Sequence, residues 1–287
     1  MFPFEMKLEN ESGAIVNIND EQRYVVLRCD GLNPPPASLF TAKSPNKKGS
    51  KYNGSTLDER TLIITIKILG DIEKNRNSLY EWIDTEQYAK IYFKNGEKNV
   101  YCEGHVTDCD VDFFANSETA AVSIACEDPY FKELQMIAAE LSLILKQFTF
   151  PFAIDSKGIP FSTIRETTET GVYNAGAETG AIIKIKAKGT VENVRIFSAS
   201  DTSKQFILNM KLLENYVVTI DTERSPRTVT LTMPDGTTQN ILKYVGANPT
   251  WFRLKKGLNK FGYTVASGSS LSDVEITFNF SQKYLGV

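Results

Sequence analysis

The sequence predicts a mainly β protein of two domains, and three observations support this. At 287 residues the chain has the length of about two domains. Short segments alternate between apolar and polar residues, and turn residues separate them. The strand-like segment Ala120–Cys126 stops at Pro129, where pattern and charge both change. We expect a first domain over 1–133, a linker over 134–152 and a second domain over 153–287.

The two predicted domains differ in charge. Residues 1–133 carry 15 Lys and Arg against 22 Asp and Glu, a net charge of −7, and the remaining residues carry +4. The net charge of the whole chain is −3, which argues against a protein that binds nucleic acid by neutralising its phosphates. No apolar run approaches the roughly 18 residues of a membrane helix. No C-x-x-C pair and no apolar signal segment occur, so we expect free thiols and synthesis inside a cell.

The first domain is predicted to hold one helix among its strands. Asp71 can cap a helix that runs to about Tyr88. Leu79, Trp82 and Ile83 fall at i, i+3 and i+4 and form its predicted buried stripe. The predicted strands are Ala14–Ile18, Tyr24–Cys29, Arg60–Leu69, Ile91–Phe93, Val100–Val106, Val111–Phe114 and Ala120–Cys126.

A polar stretch, Thr41–Asp58, interrupts this domain and is predicted to be a loop. Loops this long inside a domain are uncommon and are usually functional or disordered. Two interpretations stay open: a surface loop, or an arm that orders against a neighbouring subunit. The candidate residues for such a subunit interface are Lys43, Asn46, Lys47, Lys48, Lys51, Tyr52 and Asn53.

After the first domain the hydrophobic pattern changes. Leu134–Lys146 fits a spacing of 3.6 and is predicted to be a linker helix. Many short strands then follow without helical pattern, which predicts a β-sandwich. The predicted strands are Ala181–Ala187, Val194–Phe197, Gln205–Met210, Tyr216–Ile220, Arg227–Met233, Asn240–Tyr244, Trp251–Leu254, Phe261–Val265 and Val274–Phe280.

The residues do not suggest a catalytic site. A Ser-His-Asp or Cys-His arrangement would have to use His105, the one histidine of the sequence. Cys102 lies near it, but at this spacing along a strand the two side chains point to opposite faces. No Walker A loop and no Gly-rich dinucleotide motif occurs. We expect a protein that is not an enzyme and needs no cofactor.

Two weaker candidates for binding remain. Asp108, Asp110 and Asp112 resemble the opening of an EF-hand loop, but the Gly and Glu that complete that loop are missing. An acidic solvent face is the favoured interpretation, and a weak Ca²⁺ site is the alternative. Trp251 could stack on a sugar, although the adjacent Phe252 favours core packing.

Several motifs in a fixed order carry a family resemblance. They are Asp30-Gly31-Leu32, Arg60-Thr61-Leu62, Cys126-Glu-Asp-Pro-Tyr-Phe131, Val172-Tyr-Asn174-Ala-Gly176, Val218-Thr-Ile220-Asp221-Thr222, Phe252-Arg-Leu254-Lys-Lys-Gly257-Leu-Asn259 and Tyr284-Leu285-Gly286-Val287. Their order and spacing resemble the distal tail protein (Dit) family of long-tailed bacteriophages, which includes siphovirus-type tail components. The resemblance covers nearly the whole chain. One departure is Ala177, where the family often has Asp.

The resemblance implies a structural hub protein at the tail tip or baseplate of the virion, assembled in the cytoplasm of the host bacterium. It implies a homohexameric ring with a channel for DNA, built from first domains that are tail-tube-like β-sandwiches or barrels with one helix. The second domain would be a galectin-like or carbohydrate-module-like β-sandwich. The implied partners are the tail tube protein, the tail-associated hub or lysin protein and receptor-binding proteins, with neither a membrane nor sequence-specific nucleic acid.

Two further hypotheses follow from this resemblance. The acidic first domain would line the channel, where negative charge keeps DNA from sticking. As an alternative function, the second domain would attach the tail to host cell-wall glycans, with Trp251 as the stacking residue.

Overall fold

The structure is a computed structural model in which the chain forms two compact units. The first unit contains Met1–Gln135 together with Lys283–Val287, and the second contains Met136–Gln282. The last five residues thus belong to the first unit, which the predicted second domain of 153–287 did not anticipate. The structure describes residues 4–43, 48–83, 85–113, 117–141, 144–146, 162–164 and 170–287.

Among its described residues, the first unit contains one α-helix, α1 (Ile72–Trp82), in a chain that is otherwise built of strands. The strands before the second unit are β1 (Phe4–Asn10), β2 (Ile15–Asn17), β3 (Tyr24–Asp30), β4 (Ala37–Ala42), β5 (Lys51–Leu57), β6 (Arg60–Ile68), β7 (Tyr88–Asn95), β8 (Lys98–Asp112), β9 (Thr119–Cys126) and β10 (Phe131–Glu133).

The second unit is built of strands and two short 3₁₀ turns, Leu242–Tyr244 and Leu271–Asp273, within the described ranges. Its strands, and the last strand of the first unit, are β11 (Ile137–Leu141), β12 (Ile144–Lys146), β13 (Ser162–Ile164), β14 (Thr170–Asn174), β15 (Ile182–Ala187), β16 (Val191–Ser198), β17 (Asp201–Leu212), β18 (Val217–Asp221), β19 (Thr228–Thr232), β20 (Thr238–Asn240), β21 (Gly257–Thr264), β22 (Val274–Phe280) and β23 (Lys283–Tyr284).

A single large sheet organises the first unit. Its strands run in the order β2-β1-β7-β8-β9-β6-β3, with β10 beside β8 and β23 beside β10. The alternation predicted for β6 and β9 is confirmed, because every second side chain is buried against the core. In the predicted turn between β8 and β9, Phe114 and Asn116 lie outside the described residues.

The predicted helix forms but ends six residues early. The Asp71 side chain caps it by accepting a hydrogen bond from the Lys74 amide at 3.3 Å. Leu79 and Ile83 are buried, as their spacing predicted, and Trp82 is half-buried. Ile83 already has an extended backbone, because the chain must straighten before Tyr88 begins β7 and pairs with β8.

The prediction of a loop over Thr41–Asp58 was wrong. β4 and β5 pair as an antiparallel hairpin with a bulge between Phe40 and Thr41, and they form a sheet of their own. The polar sequence hid these strands because neither face carries the alternating apolar residues by which a half-buried strand is recognised.

Two sheets pack around one core in the second unit. One sheet has the order β11-β22-β15-β18-β19-β20 and the other β14-β21-β16-β17, while β12 pairs with β13. The core lies between inward-facing residues of both large sheets, such as Ile185, Ile196 and Phe278. Val229 and Leu231 are buried as predicted, and Met233 is half-buried at the edge of the core. This arrangement is the predicted sandwich.

Three local predictions in this region were wrong. The described part of the predicted linker helix contains two strands instead: β11 pairs with β22 along its whole length, and β12 pairs with β13. The segment Asn240–Tyr244 is mostly a 3₁₀ turn rather than a strand. Trp251–Leu254 forms no ladder beyond a bridge between Leu254 and Thr179. In each case a few apolar residues suggested a helix or a strand. The structure that forms is determined instead by pairing with neighbouring segments.

Arg60, at the start of β6, connects distant parts of the first unit. Its side chain is buried and donates hydrogen bonds to the carbonyls of Gly31, Asn33, Pro129 and Leu285. The guanidinium also stacks on the buried ring of Phe131 in β10, 4.4 Å from the ring centroid. One side chain thus satisfies four backbone acceptors from three separate segments.

Charged groups also hold the C-terminal residues to the first unit. The Asp128 carboxylate lies 3.2 Å from the ammonium groups of both Lys132 and Lys283, and Tyr284 donates to Glu133 at 2.7 Å. Burial alone would raise the pKa of Asp128, but attraction to the two lysines is stronger in sum and holds its pKa below the usual value. The carboxylate therefore stays ionised at neutral pH.

We predict that Arg60→Met lowers the free energy of unfolding of the first unit by about 3 kcal/mol or more, because it leaves buried carbonyls without donors. Arg28→Met is the control, since that side chain is 72% exposed and should matter by less than about 1 kcal/mol. Urea unfolding followed by Trp82 fluorescence, in a Trp251→Phe background, measures both. Equal midpoints for the two variants would contradict the role given to Arg60.

We also predict a pH dependence for Asp128→Asn. Because the pKa of Asp128 is lowered in the folded state, its stabilisation is present at neutral pH and is lost as the pH falls through that value. The stability difference between wild type and Asp128→Asn should be largest at pH 7 and should shrink below about pH 4. The same urea series between pH 7 and 3 measures it. A constant difference over that range would show that the ion pairs do not contribute.

Candidate functional site

The hairpin of β4 and β5 exposes apolar side chains. Every residue of β4 is exposed in the single chain, and Leu39 and Phe40 are 64% and 54% exposed. Because they are consecutive on a strand, they point to opposite faces of the hairpin. On β5, Tyr52 is 61% exposed. An isolated two-stranded hairpin is marginally stable in water, so both of its faces are suited to being covered by another surface.

The tip of this hairpin is basic. Residues 37–57 contain four lysines and no acidic residue, within a unit that is otherwise strongly acidic. Of the predicted interface residues, Lys43, Lys48, Lys51 and Asn53 are exposed near the tip, and Tyr52 bonds to Ser55 at 2.8 Å. The other two, Asn46 and Lys47, lie outside the described residues.

The base of the hairpin is fixed by short polar contacts. Ser38 donates to the Asp58 carboxylate at 2.9 Å, and the Asp58 amide donates to the Pro36 carbonyl at 3.2 Å. The connection that precedes β4 is held by Arg60, which donates to the carbonyls of Gly31 and Asn33. The base of the hairpin is therefore held by hydrogen bonds, although both faces of the hairpin are exposed.

The three aspartates of β8 form an acidic line on one face of the main sheet. Asp108, Asp110 and Asp112 are all exposed, and their side chains follow one another at about 7 Å along the strand. Across the sheet they adjoin small side chains such as Ala121 and Ser123. Within the described residues, no three His, Cys, Asp or Glu side chains are grouped to hold a metal ion. The carboxylates spread along the strand instead of converging on one point.

His105 and the cysteines are kept apart. His105 is exposed, with its Nδ1 atom 2.7 Å from the Glu127 carboxylate, whereas Cys102 is fully buried. Burial raises the pKa of Cys29 to about 12 and, with two neighbouring aspartates, also raises the pKa of Cys109. These two thiols therefore stay protonated near neutral pH and are poor nucleophiles.

Trp251 packs against the core of the second unit. Its ring meets Phe206 edge-on, with centroids 5.5 Å apart, and the Arg227 guanidinium lies 5.5 Å from its centroid. A sugar would have to compete with these neighbours for the ring. Stacking of a glycan on Trp251 therefore stays a prediction.

The hairpin of β4 and β5 also exposes apolar residues that were not among the predicted interface residues. Leu39 and Phe40 precede the stretch that the sequence indicated, and they are its most suitable anchors for a partner. The signal was present as two adjacent large apolar residues beside a lysine-rich stretch.

No described helix is long and apolar enough to cross a membrane.

Comparison with known proteins finds a matching family model in each half of the chain. Residues 12–126 match the family model described as phage tail protein RIFT-related domain. Residues 174–284 match the model described as siphovirus-type tail component, C-terminal domain. A comparison with curated protein sequences finds no significant match.

Solved structures share this fold over the full length. The SPP1 Dit protein, described as a paradigm of the hub adsorption apparatus in phages infecting Gram-positive bacteria, is 12% identical, with a TM-score of 0.72 over 97% of this chain and 99% of that chain. A chain of the phage P2 baseplate in its activated conformation with Ca is 10% identical, with a TM-score of 0.53 over 99% of both chains. A chain of the phage p2 baseplate in its activated conformation with Sr gives a TM-score of 0.50 at the same identity and coverage.

Proposed function

Because this chain belongs to the Dit family of siphovirus-type tail components, we propose that six copies form the hub ring at the tip of a phage tail. The ring joins the tail tube to the tail-associated hub or lysin protein and carries receptor-binding proteins at its side. The chain acts there as a structural protein of the virion without catalytic activity, after assembly in the cytoplasm of the host.

One observation carries the ring: the hairpin with open apolar faces. Covering the exposed part of Leu39 and Phe40 on the two faces would contribute about 1–2 kcal/mol each, since each side chain is a little over half exposed. The lysines near the tip complement the acidic remainder of the first unit of another copy. A contact in which the hairpin of one copy meets a different surface of the next is heterologous, and such contacts generate rings when the rotation closes.

The acidic line on β8 suits the channel of this ring. Asp108, Asp110 and Asp112 would face the lumen, where their carboxylates repel the phosphates of DNA. The small side chains beside them offer DNA no contact to which it could bind. An assembled ring whose lumen is lined by lysine and arginine would overturn this part of the proposal.

We predict that Leu39→Ser with Phe40→Ser weakens the association of copies by at least tenfold while the chain stays folded, because the hairpin loses its apolar anchors. Leu213→Ser is the matched control, since Leu213 is 45% exposed but lies in the second unit. Light scattering coupled to size-exclusion chromatography gives the mass as a function of concentration. Wild-type assembly by the double variant would exclude the hairpin as the subunit contact.

A further inference from the structure

The second unit carries a basic groove that the ring does not explain. It has a volume of about 580 Å³, within the range of ligand sites in proteins, about 300–1,000 Å³. Five cationic side chains line it against one carboxylate, that of Glu178. The cationic residues are Lys204, Arg253, Lys255, Lys256 and Lys260.

Three of these cations are left without an ion pair among the described residues. Arg253 bonds to Glu178 at 2.9 Å, and Lys204 lies 3.5 Å from the carboxylate of Asp201 on its own strand, β17. Lys255, Lys256 and Lys260 are exposed and make no ion pair within the described part of the chain. Their charge is therefore available to a ligand.

The backbone that presents these lysines is held by the hydrogen bonds of one side chain. The Asn259 side chain accepts from the Lys255 amide at 3.0 Å and donates to the Lys255 carbonyl at 2.7 Å and to the Gly257 carbonyl at 3.1 Å. Gly257 has a φ of 97°, which glycine adopts without strain. The turn before β21 is thus fixed by one side chain, so that binding would not have to order it.

The remaining lining indicates the kind of anion. Ser198 and Ser200 bring hydroxyl groups, which lie 3.0 Å apart. Leu258 is 61% exposed and, with the half-buried Trp251, offers apolar contacts beside Lys260. Ammonium groups suit phosphate oxygens, hydroxyls suit polyol oxygens, and the apolar side chains suit the short carbon units between the phosphates.

We propose that this groove binds a polyol-phosphate polymer, a flexible chain in which phosphodiesters alternate with hydroxyl-bearing carbon units. Lys255, Lys256 and Lys260 contact successive phosphates, and the serine hydroxyls contact the polyol. This goes beyond the hub ring and does not depend on it, because ring formation rests on the first unit.

Binding of a fluorescent glycerol-phosphate oligomer to the full chain tests the proposal. At 50 mM salt the wild type should bind, and affinity should fall with salt at a log–log slope of about 2, as expected for three phosphates on a flexible polyanion. Lys255→Gln with Lys256→Gln should weaken binding by about tenfold and bring the slope below about 1. Neutral dextran should not bind.

The control removes two lysines elsewhere on the same unit. Lys184→Gln with Lys186→Gln changes two exposed residues of β15, in the other sheet, and should keep affinity within about twofold. Equal loss in both double variants would overturn the proposal, and so would absence of wild-type binding. Poly-glutamate or single-stranded DNA of equal charge binding as tightly would overturn the ligand class. Light scattering of the groove variant reports ring formation separately.

Discussion

The buried guanidinium of Arg60 is the contact on which the first unit depends. It bonds to carbonyls before the hairpin, after β9 and in the last residues of the chain. The hairpin begins four residues after Asn33 and ends three residues before Arg60 itself. The side chain that closes the core therefore also fixes the point where the arm leaves it. A buried polar group of this kind is costly unless all its donors are used, and here the core supplies acceptors for each nitrogen.

Elements with one buried face could be predicted from the sequence. In β6 and β9 alternate side chains enter the core, so their apolar residues repeat every two positions. The cap at Asp71 and the inward positions of Val229 and Leu231 follow from equally local rules. The family resemblance predicted the fold, and the structure agrees with it.

Elements decided by distant contacts could not be predicted. The spacing in Leu134–Lys146 suggested a helix, yet Ile137 pairs with Phe280 and Leu141 with Ile276, more than a hundred residues away. The strands of the hairpin bury neither face within one chain, so they leave no periodic signal. The role of Arg60 depends on carbonyls, which a sequence does not distinguish. The sequence-based prediction of a subunit interface therefore named the lysines of the hairpin and did not name its exposed apolar residues, Leu39 and Phe40.

In the proposed ring the hairpin of each copy is covered by the next copy. A cryo-electron microscopy map of the assembled full chain would show this contact. We expect six copies, with Leu39 and Phe40 buried on opposite faces of the hairpin against a neighbouring first unit. A ring that leaves both side chains exposed to solvent would contradict it, and so would an assembly joined through the second units alone.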